Sequence, residues 1–224
     1  MYRPHIHFES PNDPEVRIWH YMDLFKFLAL VDTSQLYFAR LDTLEDPFEG
    51  VFPSASPAQG SEIEPFQHLR RSVFASCWHM SPHESAAMWK IYSHAGQGIA
   101  IQSTFARLSG SFGESKPDVH IGAVRYRDYT CESIDENEAL ACALSKRRSF
   151  EYERELRAAV LHDEPDPPTG ISIPVDLDRL IEHIYLSPAL TAWQEETLLS
   201  LLRRFHVEKL LKKSELGFFP SRNG

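Results

Sequence analysis

Glu153, Glu155 and Arg157 recur at every second position of the stretch 150–162, FEYERELRAAVLH. Helix and strand compete there, because Glu, Arg, Leu and Ala all favour helices. Period two decides for a strand: Phe150, Tyr152, Leu156, Ala158 and Val160 fall on one face, with Arg154 the exception. The other face then carries Glu151, Glu153, Glu155 and Arg157. On a strand, such neighbours stand about 6.6 Å apart. Two carboxylates at that spacing raise each other's pKa, and Arg157 pulls the nearer one down. The set can position a hydroxyl group and offset positive charge in a transition state. It can equally be an ion-pair ladder on a solvated face.

A second concentration of chemistry lies in 76–103, SCWHMSPHESAAMWKIYSHAGQGIAIQS. Cys77 and His79 share a strand face, as a thiol and its base would. A cysteine in an apolar strand is more often a small buried hydrophobe. His79, His83 and Glu84 are metal-ligating types, but Pro82 and a helix start break any fixed spacing. His5 and His7 alternate without a third partner. Trp78, Trp89 and Tyr92 can stack on a base or cofactor ring, or fill a core. Upstream, Arg40 ends a strand and LEDPFEG turns the chain. There Leu44 and Phe48 are expected to anchor a loop that presents Asp46 and Glu49 as a pocket wall. A satisfied turn is the equal alternative. GxGxxG, GxxxxGK[ST] and GxSxG motifs are absent.

The elements that position these residues follow from periodicity. Strands are expected over 16–22, 36–40, 73–79, 98–103, 123–129 and 153–161, with further ones over 170–175 and 182–186. Asp23 caps a helix over 24–31 that packs Phe25, Phe27 and Leu28 inward. Ser81-Pro82-His83-Glu84 reads as a capping box opening the central helix, which ends near Gly96 or Gly98. Shorter or later helices are expected over 66–71, 104–108, 136–149, 177–181 and 189–205. Segments 51–64 and 109–120 read as loops, and 208–217 is too mixed to assign. Strands and helices are interspersed without regular βαβ alternation. The fold class is therefore α+β: a single domain over 16–216 with a central mixed sheet flanked by helices. An irregular arm, 1–15, precedes it and a tail, 217–224, follows.

Composition narrows the setting. The 224 residues are 42% hydrophobic, enough for a core, and carry a net charge of −9, which counts against a broadly basic nucleic-acid surface. Cys77, Cys131 and Cys142 are too few and odd in number for a disulfide framework, as suits reduced intracellular chemistry. No apolar run approaches the roughly 20 residues of a membrane helix. A cytoplasmic protein with no membrane association is expected.

Taken together, LYFARLDTLEDPFEG, SCWHM, ESAAMWKIYSHAGQGIAI and KRRSFEYERELR, with Tyr21 near the first strand, resemble the "domain of unknown function 2971" family over roughly 16–216. That family brings no settled activity; its relatives imply a setting in bacterial and phage-defence gene neighbourhoods. The chain also resembles ADP-ribosyltransferase-like folds. These place an Arg or His on an early strand, a Ser, Thr or Tyr on a middle one and a catalytic Glu, often in E-x-E, on a late one. His20 (or Arg17), Ser76 and Glu153-Arg154-Glu155 follow that order. The resemblance implies that NAD is co-substrate and that His20 holds its ribose. Tyr21 or Tyr92 stacks on nicotinamide, and Glu155, with Glu153, stabilises the oxocarbenium charge. Arg40, Asp46, Glu49, Trp78 and Arg157 complete the expected binding set.

Two readings stand. One is a defence-associated effector that acts on a nucleotide or nucleic acid by NAD-dependent ADP-ribosyl transfer. The other is a non-catalytic module that binds a ligand or a protein partner in a defence or toxin–antitoxin system. One pocket uniting Arg40, Asp46, Glu49, Trp78, Glu84 and Glu155 favours an enzyme or ligand-binding module. Their dispersal favours a protein-partner role.

Overall fold

Asp23 closes the first strand and opens the first helix in one residue: its carboxylate accepts the Lys26 amide at 2.9 Å. In this computed structural model, residues 1–50, 70–93, 98–113, 117–129, 143–162, 164, 166–205, 207 and 210–217 are described. The strands are β1 (Arg17–Asp23), β2 (Gln35–Arg40), β3 (Val73–Met80), β4 (Gly98–Thr104), β5 (His120–Ala123), β6 (Arg125–Arg127), β7 (Ser145–Arg147), β8 (Glu155–Leu161), β9 (Gly170–Pro174), β10 (His183–Leu186) and β11 (Leu210–Lys213). The helices are α1 (Leu24–Thr33), α2 (Ala86–Tyr92), α3 (Phe105–Ser111), α4 (Leu177–Leu180) and α5 (Ala192–Arg204).

The sheet runs β11-β10-β4-β1-β3-β2-β9, with β8 beside β3 and β5 outside β8. It is mixed: β10 and β11 are parallel, and its other pairs antiparallel. The fold is thus α+β with a central mixed sheet. β8 covers one whole edge of β3, from Val73↔Leu161 to His79↔Glu155. The other edge is divided. β2 takes its start (Ala39↔Ala75, Arg40↔Phe74) and β1 its end (Ile18↔Met80, Trp19↔His79). Between them, residues 76–78 face a split in the sheet that α1 bridges.

Strand alternation gives the two faces different jobs. Phe74, Ser76 and Trp78 of β3 lie with Leu156, Ala158 and Val160 of β8, over Phe27 and Leu30 of α1. On the reverse, Ala75 meets Leu41 and Ala159, and Trp19 and Tyr21 pack on Met88 and Trp89 of α2.

Several expectations need correction. Phe25 is 82% exposed and Leu28 half-buried; Phe27, Leu30 and Val31 fill the buried stripe, nearly opposite Phe25 around the helix. The central helix begins four residues late. Ser85 caps it, accepting the Met88 amide, while the Ser81 hydroxyl takes the His83 amide and Glu84 no capping role. It ends at Tyr92; residues 94–97 lie outside the described set. Residues 150–153 are not strand. Arg148–Glu153 forms a 3-10 helix, Arg154 is left-handed (φ 42°), and β8 begins only at Glu155. Residues 145–147 are strand, pairing parallel with β6, so the helix expected over 136–149 does not extend there; 136–142 are outside the described set. The strand over 123–129 is divided at Val124, and the helix over 104–108 runs on to Ser111. The region 208–217 supplies β11. The arm 1–15 makes bridges at Tyr2↔Val119 and His5↔Phe8. Residues 51–69, Cys131 and Cys142 are also outside the described set.

Candidate active site

The split holds a cavity of about 490 Å³, the size of a typical ligand pocket. β1 contributes Trp19, His20, Tyr21 and Met22, and β3 contributes Ala75 through His79. Lys26 and Leu30 come from α1, Tyr92 from α2, and Glu153 and Glu155 from the turn and start of β8. Because a strand alternates its side chains, these residues approach from two sides. His20, Ser76 and Trp78 come from the α1 face; Cys77, His79 and Glu155 come from the reverse.

His20 seals the open edge. Its Nδ1–H donates to the Cys77 carbonyl at 2.8 Å, and its ring stacks on Trp78 at 4.8 Å. A carbonyl only accepts, so Nδ1 carries the proton and Nε2 is left as an acceptor. Burial lowers the His20 pKa to about 4, so the ring is neutral near pH 7. Nearby, Ser76 Oγ and Trp78 Nε1 are buried with no hydrogen-bond partner among the described residues. Such groups normally find a partner in protein, water or ligand.

On the reverse face lies a buried ion cluster. Arg157, fully buried, donates to Glu155 Oε2 from Nη2 at 2.8 Å and from Nε at 3.2 Å. It also meets Glu49, at 2.8 Å (Nη1–Oε2) and 2.9 Å (Nη2–Oε1), and donates to the Ala143 carbonyl at 2.8 Å. Lys146 binds Glu153 and stands 3.2 Å from Glu49 and 3.6 Å from Glu155. Among the described residues, three carboxylates thus face two cations. Burial alone would raise Glu155, but Arg157 and then Lys146 overcome it and hold its carboxyl below the usual range. Burial and the Glu155 charge push Glu153 up, against the pull of Lys146. Two neighbouring carboxyls driven apart are a pattern suited to division between an anionic stabiliser and an acid–base group.

The Cys77–His79 dyad does not form. Burial, then Glu155, drives the thiol pKa well up, and His79 Nδ1–H is committed to the Glu153 carbonyl at 2.5 Å. Tyr21 lines the cavity while its hydroxyl accepts the Ser85 amide at 2.8 Å. Tyr92 also lines it, its phenol raised by burial and by Glu153. Five expected contacts stand outside the lining. Arg40 pairs with Asp42 at 2.6 Å and donates to the carbonyls of Pro167 and Pro168. Asp46 accepts Arg147 at 2.8 Å. Glu49 and Arg157 support Glu155 from behind. Glu84 is elsewhere, accepting Trp89 Nε1 at 2.8 Å and Ser214 Oγ at 2.6 Å. In the DPFEG loop the acids are buried and Phe48 is 42% exposed, with the Arg147 guanidinium 4.4 Å above its ring. Leu44 reaches the cavity. Among the described residues no group of three His, Cys, Asp or Glu is placed to hold a metal. Lys146 and Tyr126, whose hydroxyl accepts the Glu155 amide at 2.8 Å, were not legible as site residues.

No protein-family model and no curated protein matches the chain. Solved structures similar to it include DarT of Thermus sp. 2.9 in three complexes. With ADP-ribosylated ssDNA the identity is 10% over 95% of this chain and 100% of that one, with a TM-score of 0.47. With NAD+ the figures are 11%, 93%, 100% and 0.43, and with carba-NAD+ 11%, 92%, 97% and 0.42. No helix among the described residues is long and apolar enough to cross a membrane.

Proposed function

We propose that the cleft binds NAD+ and transfers its ADP-ribose to a nucleotide or nucleic-acid acceptor. The observation that carries this reading is the pair Glu153 and Glu155, set at an aromatic-lined cavity and backed by a cluster with one carboxylate more than its cations. That surplus suits a planar cationic ring leaving a sugar. Glu155, held ionised, stabilises the positive charge that grows on the ribose as the C–N bond breaks and neutral nicotinamide departs. The acceptor oxygen or nitrogen then bonds to the anomeric carbon, and its proton passes to Glu153, whose raised pKa suits a base. His20 Nε2 accepts from a ribose hydroxyl. Exposed rings support a base-stacking rim: Phe48 carries Arg147, and Tyr152 is 50% exposed one residue from Glu153.

The unpartnered Ser76 Oγ and Trp78 Nε1 favour the second reading equally, a ligand-binding module without turnover. Incubation with NAD+ separates the two. Nicotinamide release is followed by chromatography, and binding by quenching of Trp78 fluorescence. We expect NAD+ to bind more tightly than NADH, which lacks the ring charge. We expect Glu155→Gln to lose roughly 100-fold or more in release, the scale of a lost electrostatic stabiliser. Because Glu155 is buried on Arg157, its melting temperature must be measured alongside. Binding without release leaves the module; absence of both binding and release refutes the proposal.

A further inference from the structure

Lys146 lies where the three buried carboxylates converge. It enters from β7, its side chain 7% exposed, and its ammonium stands 4.9 Å over the Phe150 ring. It is bonded to Glu153 Oε2, lies 3.2 Å from Glu49 Oε1 and 3.6 Å from Glu155 Oε2. Arg157, the other buried cation, binds Glu49 and Glu155. The contacts of both cations with Glu155 fall on Oε2. We infer that Lys146 is the positioning residue for Glu153, tying that carboxylate down as an anion while Arg157 holds Glu155.

This inference rests on the transfer reading above, but its core is a statement about charge. The groups facing Lys146 are Glu49 from the DPFEG loop, Glu153 from the 3-10 helix, and Glu155 and Arg157 from β8. Cys77 and His79 of β3, Tyr92 of α2, Tyr126 of β6 and Tyr152 surround them, with Arg154 beyond and the Asp46–Arg147 pair next along β7. Burial works against the ammonium, yet Glu155 and Glu49 outweigh it and keep Lys146 charged. With Lys146 gone, Arg157 alone would face three carboxylates. Arg157 would still hold Glu155, so the proton would go to Glu153, and the base would be lost.

The test is a carboxyl titration by NMR on protein carrying 13C-labelled Glu, for wild type, Lys146→Met and Lys146→Arg. Wild type should show Glu155 titrating below Glu153. Lys146→Met should raise Glu153 by about 1 pH unit or more, and by more than Glu155, which keeps Arg157; Lys146→Arg should keep the wild-type values. In nicotinamide release, the acidic limb of the pH profile should move up by the same amount in Lys146→Met alone. If Lys146→Met does not fold, Lys146→Met with Glu49→Gln restores the wild-type excess of one carboxylate and should show the same raised Glu153. Unchanged carboxyl titrations in either Met variant, or Lys146→Arg behaving like them, overturn the inference. Absence of NAD+ turnover in wild type defeats only the transfer reading, because the titration needs no substrate.

Discussion

Arg157→Met removes a charge while keeping most of the volume, so its cost isolates the ion cluster. Arg157 is 0% exposed, and its guanidinium serves Glu49, Glu155 and the Ala143 carbonyl at once. Met fills the space of the stem but leaves Glu49 and Glu155 with Lys146 as their remaining buried cation. Removing one partner of a buried pair costs about 3–5 kcal/mol. A domain holds only about 5–15 kcal/mol in all, so this variant should sit near the edge of folding. The cost should depend on pH. In the wild type, Glu155 has a folded pKa below its unfolded one. Its contribution is therefore present above the ordinary carboxylate range and lost as pH falls through the lower folded value. Without Arg157 the stranded carboxyls gain from protonation, so the variant should lose less at pH 5 than at pH 8. Urea unfolding at both pH values, at fixed ionic strength, measures this. Adding Glu49→Met should restore part of the loss, since an apolar pair can replace a buried ion pair at little cost. A loss below about 1 kcal/mol at pH 8, or an equal loss at both pH values, would refute the argument.

Three further outcomes follow from the same geometry. His20 has a folded pKa of about 4 against 6.5, so acidification from 6.5 to 4 favours the unfolded chain, which takes up the proton first. That costs at most about 3 kcal/mol by pH 4, and His20→Gln should flatten this part of the wild-type stability curve in urea titrations. Ser85→Ala should cost about 1 kcal/mol by thermal melting, and Ser81→Ala less than half of that, because only Ser85 caps α2. Gly122→Ala should lower the melting temperature, since a Cβ there would stand 2.9 Å from Phe8 Cα, a backbone atom that cannot swing aside.

Much of the sheet was legible because period two is a local signal. β1 to β4 fall within two residues of their expected spans. The pairing was not legible. Nothing in the alternation of 73–80 says that β1 and β2 share one of its edges, yet that sharing makes the cavity. The register also escaped. Ser76 pairs with Ala158 and His79 with Glu155, so His20 and Ser76 reach the cavity from the face opposite Glu155. Phe150 and Tyr152 alternate as a strand would, but Arg154 takes a left-handed conformation without a glycine to announce it. Ser81 and Ser85 both fit a cap. The choice is tertiary, because Glu84 is drawn away to Trp89 and Ser214. Lys146 sat in a stretch whose composition favours helix, and only the fold brings it to Glu153.

The split edge of β3 explains why the carboxylates, and not the histidine, carry the charge of this site. A strand edge left open exposes backbone groups that must be satisfied. Here Cys77 presents its carbonyl to the gap, and His20 meets it with Nδ1–H. That bond fixes the tautomer, and burial keeps the ring neutral, so near pH 7 His20 carries no charge and offers Nε2 as an acceptor. His79 is tied down likewise by the Glu153 carbonyl. On the proposed transfer reading, proton traffic and charge stabilisation fall to Glu153 and Glu155. Their balance comes from Lys146 on β7 and Arg157 on β8, close in sequence, and from Glu49 in the DPFEG loop, about a hundred residues earlier. Docking of that loop and of β7 is therefore the same event as setting the charge of Glu155. A perturbation of either should register at the cavity through protonation before it registers through shape.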